Sequence, residues 1–163
     1  MKTTLRTLLY LALIVWLGAE IFFPITAAVA FNTLMPDVHA AGTIVGELIR
    51  ILHGMGLVSG AIALALLALA PAWNIYKPKA VLAPMVLLVI MIGLTVYSQF
   101  SIIPSMERDR IAEGGIIDPA GTSPITQHFN KLHSRSEWVE EAVLLLGVAT
   151  VVLVARAETS KSQ

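Results

Sequence analysis

The amino-acid sequence predicts an all-α, integral membrane bundle of four transmembrane helices, and three observations carry that expectation. Only 13% of the 163 residues are charged, about half the share usual in a soluble domain, and the mean hydropathy is +0.79. Four apolar stretches are each long enough to cross a hydrocarbon core, which takes ~20 helical residues. Short connections holding proline, asparagine and charged residues separate them. Helices and connections consume nearly the whole chain, so residues 1–163 read as one domain with no soluble module. A net charge of zero leaves no basic block to neutralise phosphates, which argues against a nucleic-acid partner. The absence of cysteine removes disulfides, thiolate metal sites and cysteine nucleophiles. The partner that composition does point to is the lipid bilayer.

The first span is expected over residues 5–31, behind Lys2 and Arg6. A signal peptide is the rival reading, because Ala28-Val29-Ala30 resembles a small-residue cleavage site. The apolar run is far longer than the ~7–15 residues of a signal core, so it is read as a retained anchor. Pro24 should loosen this helix, since it removes one backbone hydrogen bond, and Glu20 lies near mid-span. Residues 32–42, with Pro36, Asp37 and His39, read as a short polar loop. The second span follows at 42–70. Trp73, Tyr76, Lys77 and Lys79 then give its connection the aromatic and basic character of a headgroup interface. The third span is expected over 80–103, ending at Pro104. Residues 104–125 form the one long polar connection, whose alternating charges from Glu107 to Arg110 suit a solvated helical turn followed by a loop with a turn at Gly114-Gly115. The fourth span, 126–156, belongs to a helix beginning near Pro124, of which Trp138 to Ala155 suits the hydrocarbon core. Glu158 to Gln163 reads as a frayed tail.

Lysine and arginine placement sets the expected orientation. Lys2, Arg6, Lys77, Lys79, Arg156 and Lys161 fall on one side of a four-span chain, and Arg108, Arg110, Lys131 and Arg135 on the other. The bias predicts both termini in the cytoplasm (N-in/C-in), in a bacterial inner membrane. The 32–42 and 104–125 connections would then lie outside.

Ionisable residues within a span are costly and persist where they face protein or a watery cavity. At about 100° per residue, Thr43, Gly46, Glu47, Arg50, His53, Gly54, Leu57 and Ala61 share one face of the second helix. Counted from the outer end, Glu20, Arg50 and His53 lie at comparable depth, roughly 12–16 Å down, with Glu47 one turn higher. His133, Ser136 and Glu140 share an arc of the fourth helix, and Tyr97 sits on the third at a similar level. The expectation is a polar layer of Glu20, Glu47, Arg50, His53, Tyr97, His133, Ser136 and Glu140 above a dry inner half. Three readings of it stay open. It is an internal network in which Glu20 and Glu47 neutralise Arg50; or a pocket for a proton, an ion or a small polar ligand; or a haem or copper site using His53 and His133. The two histidines lack a local metal-ligand spacing. Gly42-x-x-x-Gly46 and Gly56-x-x-x-Gly60 are spacings that permit close helix approach. Gly114-Gly115 has no phosphate-loop spacing, and no activated nucleophile stands out, so the chain reads as non-enzymatic.

Trp16-Leu17-Gly18-Ala19 with Phe22-Phe23, Ala41-Gly42-x-x-Val45-Gly46 and His133-x-x-Ser136 carry a family resemblance. Over about residues 8 to 155 the chain resembles the membrane family called domain of unknown function 4149. That family includes proteins similar to transmembrane protein 205 and is distantly similar to the copper-resistance protein D group. The resemblance implies a four-helix membrane protein and no established reaction. Glu140 stands where the family pattern has Asn, and Glu47 and His53 stand where bulky apolar or aromatic residues are usual. The functional expectation is a non-enzymatic membrane protein with a polar intramembrane pocket, serving transport, ion handling or stress resistance. The alternatives are an accessory subunit of a larger membrane complex or homo-oligomer, and a haem or copper binder.

Overall fold

The computed structural model describes residues 2–115, 117–118 and 120–159. Pro119 and the tail from residue 160 onward, with Lys161, lie outside the described residues. Four helical rods are long and apolar enough to cross a membrane: Lys2–Leu34, Val38–Leu69, Pro78–Ala112 and Pro124–Thr159. The chain is a multi-pass integral membrane protein, and the described residues contain no strand. Four crossings bring both termini to one end of the bundle, here the terminal end. The α4–α5 connection marks the opposite, or loop, end.

Each boundary has a local cause. Helix α1 (Lys2–Leu34) continues through Pro24. The proline deprives the Glu20 carbonyl of its helical donor, a loss that packed membrane helices tolerate. The polar loop expected over 32–42 shrinks to residues 35–37, because α2 (Val38–Leu69) begins one turn early. The Asp37 carboxylate accepts from the Ala40 N–H at 2.9 Å and so caps it. Helix α3 (Pro78–Tyr97) opens on Pro78, whose missing N–H would have no partner there.

The expected stop at Pro104 is overturned. A π-helical stretch, Ser98–Ile102, carries the rod straight into α4 (Ile103–Ala112). The Ile103 N–H donates five residues back to the Ser98 carbonyl. That wide turn makes room for a proline ring that a regular α-helix would push into the preceding turn. Helix α5 (Pro124–Thr159) completes the bundle, beginning where the sequence places it.

Packing runs α1 on α2, α2 on α3 and α3 on α5, with α4 against the first turns of α5. α1 and α5 approach more sparingly, meeting where Leu17 presses on Gly147. The main core fills the terminal half with Leu9, Leu13, Trp16, Leu67, Leu88, Val143 and Val154 and extends toward the loop end through Ile102, Leu132 and Val139. Thr95 and Thr150 are buried within this half and donate to carbonyls of their own helices, so they add no open polarity. A smaller apolar cluster, Ile49, Leu52 and Ile103, lies toward the loop end.

Trp16 holds α1 against α2. A Cβ on Gly56 would stand 2.6 Å from its Nε1, and one on Gly60 would stand 2.5 Å from its Cζ3 and 3.0 Å from Ile92. Gly56-x-x-x-Gly60 is therefore a true contact surface. Gly42-x-x-x-Gly46 is not: neither glycine has a neighbour within 4 Å of an added Cβ, because both border open space between the helices.

The terminal end is fastened separately. The Tyr76 hydroxyl, in the α2–α3 turn, donates to Glu158 Oε1 at 2.9 Å. Arg6 Nε lies 3.7 Å from the same oxygen, and its guanidinium sits 5.7 Å from the Tyr76 ring centroid, within cation–π range. One clasp thus ties α1, the turn and α5. Burial, then the bond to Glu158 and its charge, push the Tyr76 phenol above the usual tyrosine range.

Two outcomes follow from this packing. Gly60→Ala forces the Trp16 ring to move and should cost about 1–3 kcal/mol, whereas Gly54→Ala, facing open space, should change stability by less than about 0.5 kcal/mol. Thermal unfolding of both variants in one detergent makes the comparison. For Tyr76, a folded-state pKa above the unfolded value of about 10 means that its contribution is complete below that pH. It declines as pH rises through that value toward the folded one. Stability measured from about pH 8 to about pH 12 should fall at the alkaline end, and Tyr76→Phe should flatten that fall.

Candidate functional site

The site begins with a histidine that has no exposure at all. His53 of α2 is 0% exposed, and both ring nitrogens are engaged. Nδ1 lies 2.8 Å from Gln99 Oε1 and Nε2 lies 2.8 Å from Glu140 Oε1 on α5. The Ser98 hydroxyl donates to the same Glu140 oxygen at 3.2 Å. Successive residues of a regular α-helix point about 100° apart. The widened π turn starting at Ser98 lets two consecutive side chains, Ser98 and Gln99, both serve this cluster. Such turns concentrate at functional sites.

Each of the two contacts takes one hydrogen, and the tautomer of His53 decides which partner supplies it. The other carboxylate oxygen of Glu140, Oε2, is buried and bonds to no protein group.

Glu140 also forms part of the wall of a cleft of about 780 Å³ between α1, α2, α4 and α5 in the loop half. Glu20 lies in the same wall and is 5% exposed. The Trp16 indole N–H donates to its Oε1 at 3.0 Å, and its carboxyl is within electrostatic reach of Glu140 and His53. Ser136 lines the cleft from α5, and Glu47, Arg50 and His133 line it nearer the mouth. Arg110 of α4 closes over the opening, pairing with Glu107 and donating to Thr43 at 3.3 Å.

Six of the eight residues expected in the polar layer, namely Glu20, Glu47, Arg50, His133, Ser136 and Glu140, border this one space. His53 stands behind the wall and connects to it through Glu140. Tyr97 does not join them. It is 40% exposed and accepts from Arg135 at 3.2 Å, since the π turn that follows directs Ser98 and Gln99 inward instead. Of the two carboxylates weighed as partners for Arg50, Glu47 reaches it, at 2.7 Å on its own helix. Glu20 does not, because it accepts from Trp16 one turn away. A depth count does not fix which way a side chain points.

The His53–His133 metal pairing is not formed. His53 has both nitrogens committed within the cluster. The His133 ring stacks on Phe129 at 6.3 Å and lies 3.4 Å from Glu137. Among the described residues no three His, Cys, Asp or Glu side chains gather as a metal ion would require. Gln99, Ser98 and Trp16 were absent from the sequence reading of the layer. Their signals were present: a Ser-Gln pair five residues before an intrahelical proline, and an indole one turn before a buried glutamate.

An integral membrane protein of four apolar helices is the class that this geometry defines. Within that class, the family model described as Domain of unknown function (DUF4149) matches residues 11–110, and the chain belongs to that family. Glu20, His53, Ser98 and Gln99 lie inside the match, and Ser136 and Glu140 beyond it. No curated protein and no solved structure matches the chain.

Removing His53 should expose how tightly this cluster is built. His53→Ala leaves Glu140 and Gln99 without their buried partner, and a loss of about 3–5 kcal/mol is expected. His133→Ala, at an exposed position, should stay within about 0.5 kcal/mol. Denaturant titration in micelles distinguishes the two.

Proposed function

We propose that the protein is a non-enzymatic membrane protein whose cleft admits a proton, an ion or a small ligand to the His53–Glu140 cluster, in transport, ion handling or stress resistance. In this reading it resides in a bacterial inner membrane with both termini in the cytoplasm, and the cleft faces outward. The observation that carries the reading is Glu140, which forms part of the cleft wall, bonds His53 through Oε1 and leaves its buried Oε2 without a protein partner. A network built only to neutralise buried charge would satisfy its acceptors internally, because each unsatisfied one is costly. Arg50 supports the same reading. Its charge is balanced at the mouth by Glu47, so the deeper carboxylates do not serve to neutralise it.

The cysteine-free chain makes the test direct. Single substitutions Ser136→Cys and Ala27→Cys place thiols on facing walls of the cleft, and Thr150→Cys places one in the closed terminal half. A cationic, membrane-impermeant methanethiosulfonate added outside intact cells should modify the first two and spare the third until the protein is denatured. Protection of both cleft positions in the folded protein would make the cluster a sealed network and end the proposal. Modification only from the cytoplasmic side would reverse the orientation.

A further inference from the structure

The composition of the cleft speaks to the chemistry of its occupant. Its volume of about 780 Å³ lies in the range of sites for small organic molecules. Most of the wall is apolar: Phe23 and Phe31 from α1, Ile49 from α2, Ile103 from α4, and Phe129 and Leu144 from α5. The charges are lopsided, with six glutamates against two arginines. Both arginines are already engaged by carboxylates of their own helices, Arg50 by Glu47 and Arg110 by Glu107. Of the other glutamates, Glu137 lies 3.4 Å from His133 at the mouth, and Glu20, Glu140 and Glu141 stand deeper, Glu140 with His53 behind it.

Two carboxylates facing one low-dielectric space repel each other, and a cation held between them relieves that repulsion. An inorganic ion would need several oxygen ligands converging on a point. Among the described residues no three His, Cys, Asp or Glu side chains converge in that way. An anionic amphipath would meet the excess of glutamates. We infer that the cleft is a binding site for an amphipathic organic cation, its positive group between Glu20 and Glu140 and its apolar body against the phenylalanine-lined walls. This rests on the cleft being open, as proposed above, and adds the class of ligand. Aromatic rings beside an acidic floor favour such a cation twice over, through burial of its apolar surface and through cation–π attraction.

Tetraphenylphosphonium and tetraphenylborate have nearly the same shape and opposite charge, so they separate charge recognition from hydrophobic partition. The full chain carrying Ser136→Cys, purified in detergent, is reacted with N-ethylmaleimide at rising concentrations of either ion. The phosphonium should halve the labelling rate at a concentration about tenfold or more below that of the borate, equivalent to ~1.4 kcal/mol. Glu20→Gln, which leaves the His53–Glu140 bonds in place, should raise the phosphonium concentration needed by about tenfold. Monodisperse elution of each variant confirms that it is folded. Labelling that proceeds but is blocked equally by both ions, or by neither, overturns the cation inference and leaves the open cleft standing. A thiol that never reacts in the folded protein overturns both.

Discussion

The hydrogen bond between His53 and Glu140 is the contact on which the loop half of this bundle depends. With α1 on α2, α2 on α3, α3 on α5 and a sparing α1–α5 approach, α2 and α5 stand diagonally across the bundle. The 2.8 Å bond between their side chains therefore crosses its centre. Gln99 and Ser98 join from the third rod, so three of the four crossings converge on one imidazole and one carboxylate. In a low-dielectric interior such bonds are strong and their loss is costly. The cluster is thus a positioning device for the rods as well as a patch of polarity. The π turn is part of the same solution. It accommodates Pro104 and brings Ser98 and Gln99 together on the cluster.

Trp16 marks the floor between two solvents. Below it, Leu9, Leu13, Leu67 and Val154 form a continuous dry core. Above it, the wall carries glutamates, arginines and a serine. The indole serves both sides, its ring packed over Gly56 and Gly60 and its N–H donated to Glu20. One side chain therefore fixes the α1–α2 distance and also sets the depth of the lowest carboxylate. The terminal clasp of Arg6, Tyr76 and Glu158 does for the closed end what the His53 cluster does for the open one. Helices α1 and α5 are held there, and at Leu17 against Gly147, while the cleft lies between them in the loop half.

How much of this was legible follows from what each signal measures. Apolar length gave the four crossings, because a hydrocarbon core has a fixed thickness. Rise per residue gave the shared level of Glu20 and His53, since depth accumulates uniformly along a helix. Azimuth between helices does not accumulate in that way. It depends on contacts such as Trp16 in its glycine groove, so Glu20 and Glu47 were both weighed as partners for Arg50 and only Glu47 reaches it. The π turn was illegible for a related reason. A proline at 104 reads as a terminator, and only packing against α5 reveals that the rod continues. The turn before α2 failed in the other direction. Asp37 carries an ordinary capping signal, masked by the polar run from Asn32 to His39.

A glutamate opposite a histidine suits the middle of a membrane because each partners a buried polar atom of the other across a 2.8 Å contact, and buried groups left without a partner are what makes intramembrane polarity expensive. Glu20, bonded to a tryptophan, and Glu141 face no free arginine, since both arginines of the cleft pair with carboxylates of their own helices. The asymmetry of the site lies in these carboxylates, which stand in the cleft wall beside the His53–Glu140 contact.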